Sequence, residues 1–228
     1  MRYFTSDTHF GHPLVTALRG FLNNGRLRTE YRDVWQAQGR AAAHAWIKQY
    51  VRDNQTSFKA ICDITRHENT IIGNINETIG RDDELWILGD LSYRCTVKHT
   101  LDCLRRINCR HLHLIIGNHD KYWMKKVDLS VWFESVSPML FVQDSGHTAT
   151  LCHYPMMSWP GMSKGGFMVY GHIHNNTNAD YWPLIAARSQ MLNAGVDING
   201  FAPVTLDEMI ENNRRFKEGH ACMTEDNA

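Results

Sequence analysis

The chain has 228 residues, 43% of them hydrophobic and 21% charged, and its 24 Lys plus Arg are balanced by 24 Asp plus Glu. That composition excludes a disordered polyelectrolyte, and zero net charge excludes the overall basic character of a dedicated nucleic-acid binder. No run approaches the roughly 20 apolar residues of a bilayer span, and Met1-Arg2-Tyr3-Phe4-Thr5 lacks the charged and apolar regions of a leader, so a cytoplasmic protein is expected.

Residues 2–6 read as a short strand running into Asp7-Thr8-His9-Phe10-Gly11-His12. Asp-x-His at a strand end offers two donors suited to a borderline divalent ion, although alone it is a weak signal. From Leu14 to about Lys59 the composition turns helical and basic, with eight Lys or Arg against three acids over residues 14–60. A solvated helical face is the expected reading, and a basic lid or shoulder that attracts an anionic substrate is the alternative. Asp63 is placed to cap a helix through Ile79, with Ile64, Ile71, Ile72, Ile75 and Ile79 as its apolar stripe. Glu84–Leu88 reads as a strand closed by Gly89-Asp90, and Thr96 as the cap of another helix. That helix leads to the strand His111–Ile116, which stops at Gly117-Asn118-His119-Asp120. Here Asn118 offers a neutral oxygen, His119 can exchange a proton near neutral pH, and Asp120 is expected to orient that imidazole.

Further on, 139–142 and 149–152 flank Asp144-Ser145-Gly146 as a hairpin whose second arm ends in His153. Phe167–Tyr170 is a strand ending in Gly171-His172-Ile173-His174, Met191–Asn193 a further strand before Gly195-Val196-Asp197, and Thr205 caps a last helix. The order of strands and helices predicts α/β layering with parallel neighbours. Residues 1–217 are read as a single domain carrying the insertion 14–60, and 218–228 as a flexible tail. The six cysteines include no CxxC pair and read as buried free thiols. Among thirteen histidines, His44, His67, His99, His111, His113, His147 and His220 have no partner residues nearby in sequence and are read as structural or solvent-exposed.

Five strand ends thus carry the same kind of residue: Asp7/His9, Asp90, Asn118/His119, His153 and His172/His174. One His after a strand is usually structural, but five such coincidences imply one cluster of N and O ligands. Asp7, His9, Asp90, Asn118, His153, His172 and His174 make seven side chains, too many for one tetrahedral ion that keeps an open position. Two ions about 3.5–4 Å apart with a bridging carboxylate fit better, and Asp90 is the natural bridge. One structural zinc is the alternative.

The ordered set Asp-x-His, Gly-Asp, Gly-Asn-His-Asp, His and Gly-His-x-His over residues 5–174 resembles the calcineurin-like metallophosphoesterase superfamily. The opening Phe4–His12 and the late Gly195-Val196-Asp197-Ile198-Asn199-Gly200 also resemble a small bacterial and phage subgroup of phosphoesterases. The resemblance implies a four-layer α/β/β/α sandwich of two packed mixed sheets with flanking helices. It implies that Asp7, His9 and His174 hold one divalent metal, that Asn118, His153 and His172 hold a second, and that Asp90 bridges. His119 would then be no ligand but would stabilise or protonate the leaving oxygen, with Asp120 orienting its ring. A hydroxide held by two cations is ionised near neutral pH, so no protein base is required, whereas the leaving alkoxide gains from an acid.

The donors suit manganese first, with iron, zinc or magnesium as alternatives. The expected activity is hydrolysis of a phosphodiester, most simply a small nucleotide-like one, since an acid matters most for a poor alkoxide leaving group. Arg94 is a candidate phosphate contact, and Trp159 either stacks on a base or, the better expectation, packs. Alternatives are a phosphomonoesterase acting on nucleotides or phosphoproteins and a non-catalytic scaffold of the same fold. No membrane partner is expected, and extended nucleic acid is disfavoured because no long basic track lies beyond residues 14–60.

Overall fold

A computed structural model describes residues 1–219. In chain order it contains strand β1 (Arg2–Thr5), helices α1 (Pro13–Leu18), α2 (Gly25–Gln38), α3 (Arg40–Asp53), α4 (Phe58–Ile61) and α5 (Ile64–Thr78), and strand β2 (Glu84–Ile87). Helix α6 (Val97–Arg105), β3 (His111–Ile115), α7 (Lys121–Met124), β4 (Ser135–Ser137), β5 (Met139–Asp144) and β6 (His147–Cys152) follow. The chain closes with β7 (Phe167–Tyr170), α8 (Trp182–Ala186), β8 (Met191–Asn193) and α9 (Leu206–Lys217).

Two four-stranded sheets form, in the orders β1-β2-β3-β4 and β5-β6-β7-β8. Alternation along the strands decides what each face meets. Phe4, Trp86, Leu88 and Ile115 of the first sheet's side pack with Ala149, Leu151, Val169 and Leu192 of the second, so the main interior lies between the sheets. The opposite face of the first sheet, through Leu85, Ile87, Leu112 and Leu114, packs on Ile71, Ile72 and Ile75 of α5 and on Cys103 and Leu104 of α6. The outer face of the second, through Met168, Tyr170 and Met191, meets Ile185 of α8 and Trp159. The four-layer sandwich is therefore present. Of its sheets only the second is mixed: every pairing in the first is parallel, because its strands are joined by helical crossovers rather than hairpins. In the second, β5 and β6 form the antiparallel hairpin, with Ser145 and Gly146 both at positive φ in a two-residue turn.

The helix starts lie where capping chemistry puts them. Asp63 accepts from Arg66 N, Thr96 from His99 N, and Thr205 forms a reciprocal capping box with Glu208, each cap worth about 1 kcal/mol. Strand β4 escapes a pattern reading: it is three residues long, Ser-Val-Ser, at a sheet edge and only half buried.

Segment 14–60 folds into α1–α4 around a small core of its own, made by Ala17, Leu22, Leu27, Tyr31, Ala43, Ile47 and Ile61. Tyr31 ties α2 to α1 by donating to Leu18 O. Five cysteines, Cys62, Cys95, Cys103, Cys109 and Cys152, are free thiols, while Cys222, His220 and most of the expected tail lie outside the described residues. Among the described residues no helix is long and apolar enough to cross a membrane.

Candidate metal centre

The seven expected ligands follow directly on β1, β2, β3, β6 and β7 and gather where those strands end. The backbone there is unusual. Nine non-glycine residues have positive φ among the described residues, and five of them are Asp7 (58°), His9 (48°), Asp90 (54°), His172 (69°) and His174 (50°). A left-handed Asp or His costs on the order of 1 kcal/mol and persists where its surroundings over-determine it, typically at functional sites. Here Asp7 N donates to Gly89 O and His9 N to Asp90 O, both at 3.0 Å, while His172 N donates to the Asp7 carboxylate at 2.9 Å. Two glycines allow this packing. A Cβ on Gly171 would lie 1.9 Å from Ser6 Oγ, and one on Gly117 2.3 Å from Asp90 N.

The donors form two groups, Asp7/His9/His174 and Asp90/His153/His172, each with its ligand atoms within 4.8 Å of one another. His9 Nε2 and His174 Nε2 lie 3.8 and 4.0 Å from Asp7 Oδ1. In the second group His153 Nε2 lies 3.5 Å from Asp90 Oδ2 and 3.0 Å from Asn118 Oδ1, which adds the amide oxygen to that set. Asp90 Oδ2 also lies 3.7 Å from His9 Nε2, so one carboxylate oxygen faces both groups. Donors sharing an ion about 2.1 Å away sit about 3–3.5 Å apart, so only small side-chain movements would close these sets.

The chemistry of the donors fits divalent ions. Both ring nitrogens of His9 are buried with no hydrogen-bond partner, an arrangement costly for a polar group with no ligand to meet. Burial, reinforced by His174 and Arg19, holds the His9 ring far below the ordinary imidazole range, which keeps it in the neutral, ligating form. His153 is different. Burial would lower it, but the Asp90 carboxylate and then Asp7 hold it up at about 9. The metal-free protein thus carries a proton on His153 at pH 7, and a metal must displace it. Titration of metal-free protein with manganese at pH 7, in two buffers of different ionisation enthalpy, is expected to report proton release. Apparent affinity should fall at least about tenfold per pH unit below the His153 pKa.

Behind His174 stands Asp197, which the sequence offered only as part of Gly195–Gly200, paired with Arg19, which it did not single out. Arg19, almost wholly buried, donates through Nε and Nη2 to both Asp197 oxygens at 2.8 Å, and also to the backbone oxygens of Asp7 and Thr8. Asp197 Oδ2 lies 2.7 Å from His174 Nδ1 and so fixes a tautomer that turns Nε2 toward Asp7. Burial pushes the Asp197 carboxyl up, yet Arg19 and His174 hold it well below the carboxylate range. Asp197→Ala would leave the Arg19 charge buried and unpaired, a loss of about 3–5 kcal/mol by urea unfolding. It would also weaken metal binding about 10–100-fold by freeing His174.

His119 stands outside both donor groups. Its N donates to Asp90 Oδ1 at 2.9 Å, its Nε2 lies 3.9 Å from Asp90 Oδ2, and the ring is about one-third exposed. Asp120 does not orient it. The Asp120 carboxylate, fully buried at the start of α7, accepts instead from Asp90 N and Gly117 N at 2.9 Å and from Leu91 N and Trp123 Nε1 at 3.0 Å. Four donors saturate it, so it braces the loops, and the His119 ring lies against Tyr93, with centroids 3.8 Å apart. Tyr93 and the buried ring of His12, 5.0 Å from Tyr93 and 5.6 Å from His9, are further neighbours that pattern reading missed.

Arg94 is exposed at positive φ, with its guanidinium 5.5 Å from the Tyr93 ring centre. It shares a cavity of about 370 Å³ with His119 and Tyr122. Trp159 is packed in the core, donating to Gly166 O, and His67 is a structural histidine between Arg19 and Phe21.

No family model matches the chain. The Uncharacterized protein MJ1445 of Methanocaldococcus jannaschii is 25% identical over 150 residues, 65% of this chain and 76% of that protein. The Gene 66 protein of Mycobacterium phage L5 is 27% identical over 168 residues, 60% of this chain and 77% of its own length. The crystal structure of AQ665, a protein of unknown function from Aquifex aeolicus, aligns with 92% of this chain and 98% of its own at a TM-score of 0.58 and 20% identity. That likeness concerns the fold alone.

Proposed function

We propose that the protein is a dinuclear metal-dependent phosphodiesterase acting on small nucleotide-like esters. The observation that carries the reading is Asp90 Oδ2, placed 3.7 Å from His9 Nε2 and 3.5 Å from His153 Nε2, between two sets of donors. Asp7, His9 and His174 would hold one ion, Asn118, His153 and His172 the other, and Asp90 would face both. Two divalent ions there would supply Lewis acidity at the phosphate and a nucleophile ionised near neutral pH. His119, close to Asp90 but outside the donor sets, would give a proton to the departing oxygen as its bond to phosphorus breaks. Asp197 and Arg19 keep the His174 ring in its ligating orientation. Mixed nitrogen and oxygen donors admit manganese, iron or zinc, and manganese is the first metal to supply.

The test is hydrolysis of bis-p-nitrophenyl phosphate and p-nitrophenyl phosphate by metal-stripped protein with and without manganese. Manganese-dependent turnover that favours the diester is expected. Turnover of the monoester alone would replace the reading by a phosphatase, and bound metal with no turnover of either would leave a scaffold.

A further inference from the structure

A cavity of about 620 Å³ opens beside the metal centre, with His172, His174 and Asp197 in its wall. Another part of the wall is α3, which contributes Arg40, His44, Lys48 and Arg52. These four recur every fourth residue and therefore follow one face of the helix, about 18 Å from first to last. The Arg40 guanidinium is spread between the Asn175 and Asn176 side-chain oxygens, at 3.1 and 3.0 Å, which ties α3 to the loop just after His174. Trp35 and Tyr181 bring aromatic rings to the same space.

The charge on this wall has one sign. Asp197 is the single carboxylate among the lining residues, and Arg19 already engages both its oxygens. Arg40 opens α3, whose first turn holds no acid, so its charge meets the positive end of the helix dipole. Lys48 and Arg52 are like charges at i and i+4, a pairing that weakens a helix. Helix stability therefore accounts for Arg52, which lies in the last turn and donates to Gln49 Oε1, but not for Arg40 or Lys48. A polyanion in the cavity accounts for those two, since it would face several cations at once while a reacting group occupied the adjoining donor cluster.

We infer that this cavity receives a second phosphate of the substrate, and that the substrate class is a nucleotide diester bearing a further terminal phosphate. The inference rests on the phosphodiesterase reading and deepens it. The rings of Trp35 and Tyr181 offer faces for a base, and the amides of Asn175 and Asn176 offer hydrogen bonds at its edge.

The test compares thymidylyl-thymidine with its 5′- and 3′-phosphorylated forms, using the full chain and the double variant Lys48→Ala/Arg52→Ala, both at exposed positions of α3. Binding to metal-stripped protein is read by tryptophan fluorescence, and kcat/KM is read with manganese. For the wild type, one phosphorylated form is expected to bind at least tenfold tighter than the unphosphorylated dinucleotide and to gain a similar factor in kcat/KM, mainly through KM. The double variant should bring both ratios close to one. Equal binding of all three dinucleotides by the wild type, or a preference that survives in a folded double variant, would overturn the inference. Binding preference without hydrolysis of any diester would keep the phosphate-binding cavity and remove the phosphodiesterase reading.

Discussion

His119→Ala is expected to keep its metals and to lose about 10²–10⁴-fold in turnover of a dinucleotide diester. The ring belongs to neither donor group, so its removal takes no ligand from an ion. What disappears is the side chain beside Asp90 that is proposed to give the proton. The size of the effect should follow the leaving group. A nucleoside alkoxide departs poorly without a proton, whereas p-nitrophenolate departs readily, so bis-p-nitrophenyl phosphate should lose much less. Metal content measured alongside both rates separates this role from its rival. Equal losses on the two esters, or a drop in bound metal, would make His119 part of the metal scaffold instead of an acid. Tyr93→Phe should leave the ring contact in place, whereas Tyr93→Ala should move turnover in the same direction as His119→Ala, since the Tyr93 ring packs 3.8 Å from the imidazole.

The clustering of these side chains was legible because strand periodicity and a change of chemistry coincide at each strand end: Leu-Gly-Asp after β2, Ile-Gly-Asn-His after β3, Tyr-Gly-His after β7. Local pattern fixes such junctions, and their repetition implies convergence. Arg19 was illegible for the opposite reason. Its partners Asp197, Thr8 and Asp7 come from remote or non-repeating stretches, so on the page it was one cation in a basic segment. The same holds for α2 and α3, whose apolar residues look like one long amphipathic run until Gly39, at φ 81°, breaks it and folds Tyr31 and Ile47 onto a shared core. The parallel pairing of β1, β2 and β3 was legible, but the fourth strand of that sheet, the polar edge Ser135–Ser137, carries almost no hydrophobic signal.

Asp120 is where local reading misassigned a role, and its replacement carries the other large effect. Adjacency to His119 suggested a ring partner, but α7 begins at Lys121 and turns the Asp120 carboxylate inward, onto the loops after β2 and β3. Four N–H groups end on it, from Asp90, Leu91, Gly117 and Trp123. Asp120→Ala leaves these donors buried without their acceptor, at about 1–3 kcal/mol each before any entering water offsets part of it. The expected loss is about 4–8 kcal/mol, comparable to the whole stability of many domains. Asp120→Asn is the milder variant: it keeps one acceptor oxygen and turns an amide NH₂ toward the remaining donors, so it should fold with a lowered Tm. Because Asp90 N and Gly117 N are among the groups released, Asp90 loses its anchor, and if Asp90 bridges two ions as proposed, metal content should fall with stability. A ring-orienting aspartate would behave otherwise, with turnover lost while Tm and bound metal stayed put. Thermal unfolding and metal analysis of Asp120→Asn, read together, decide between the two.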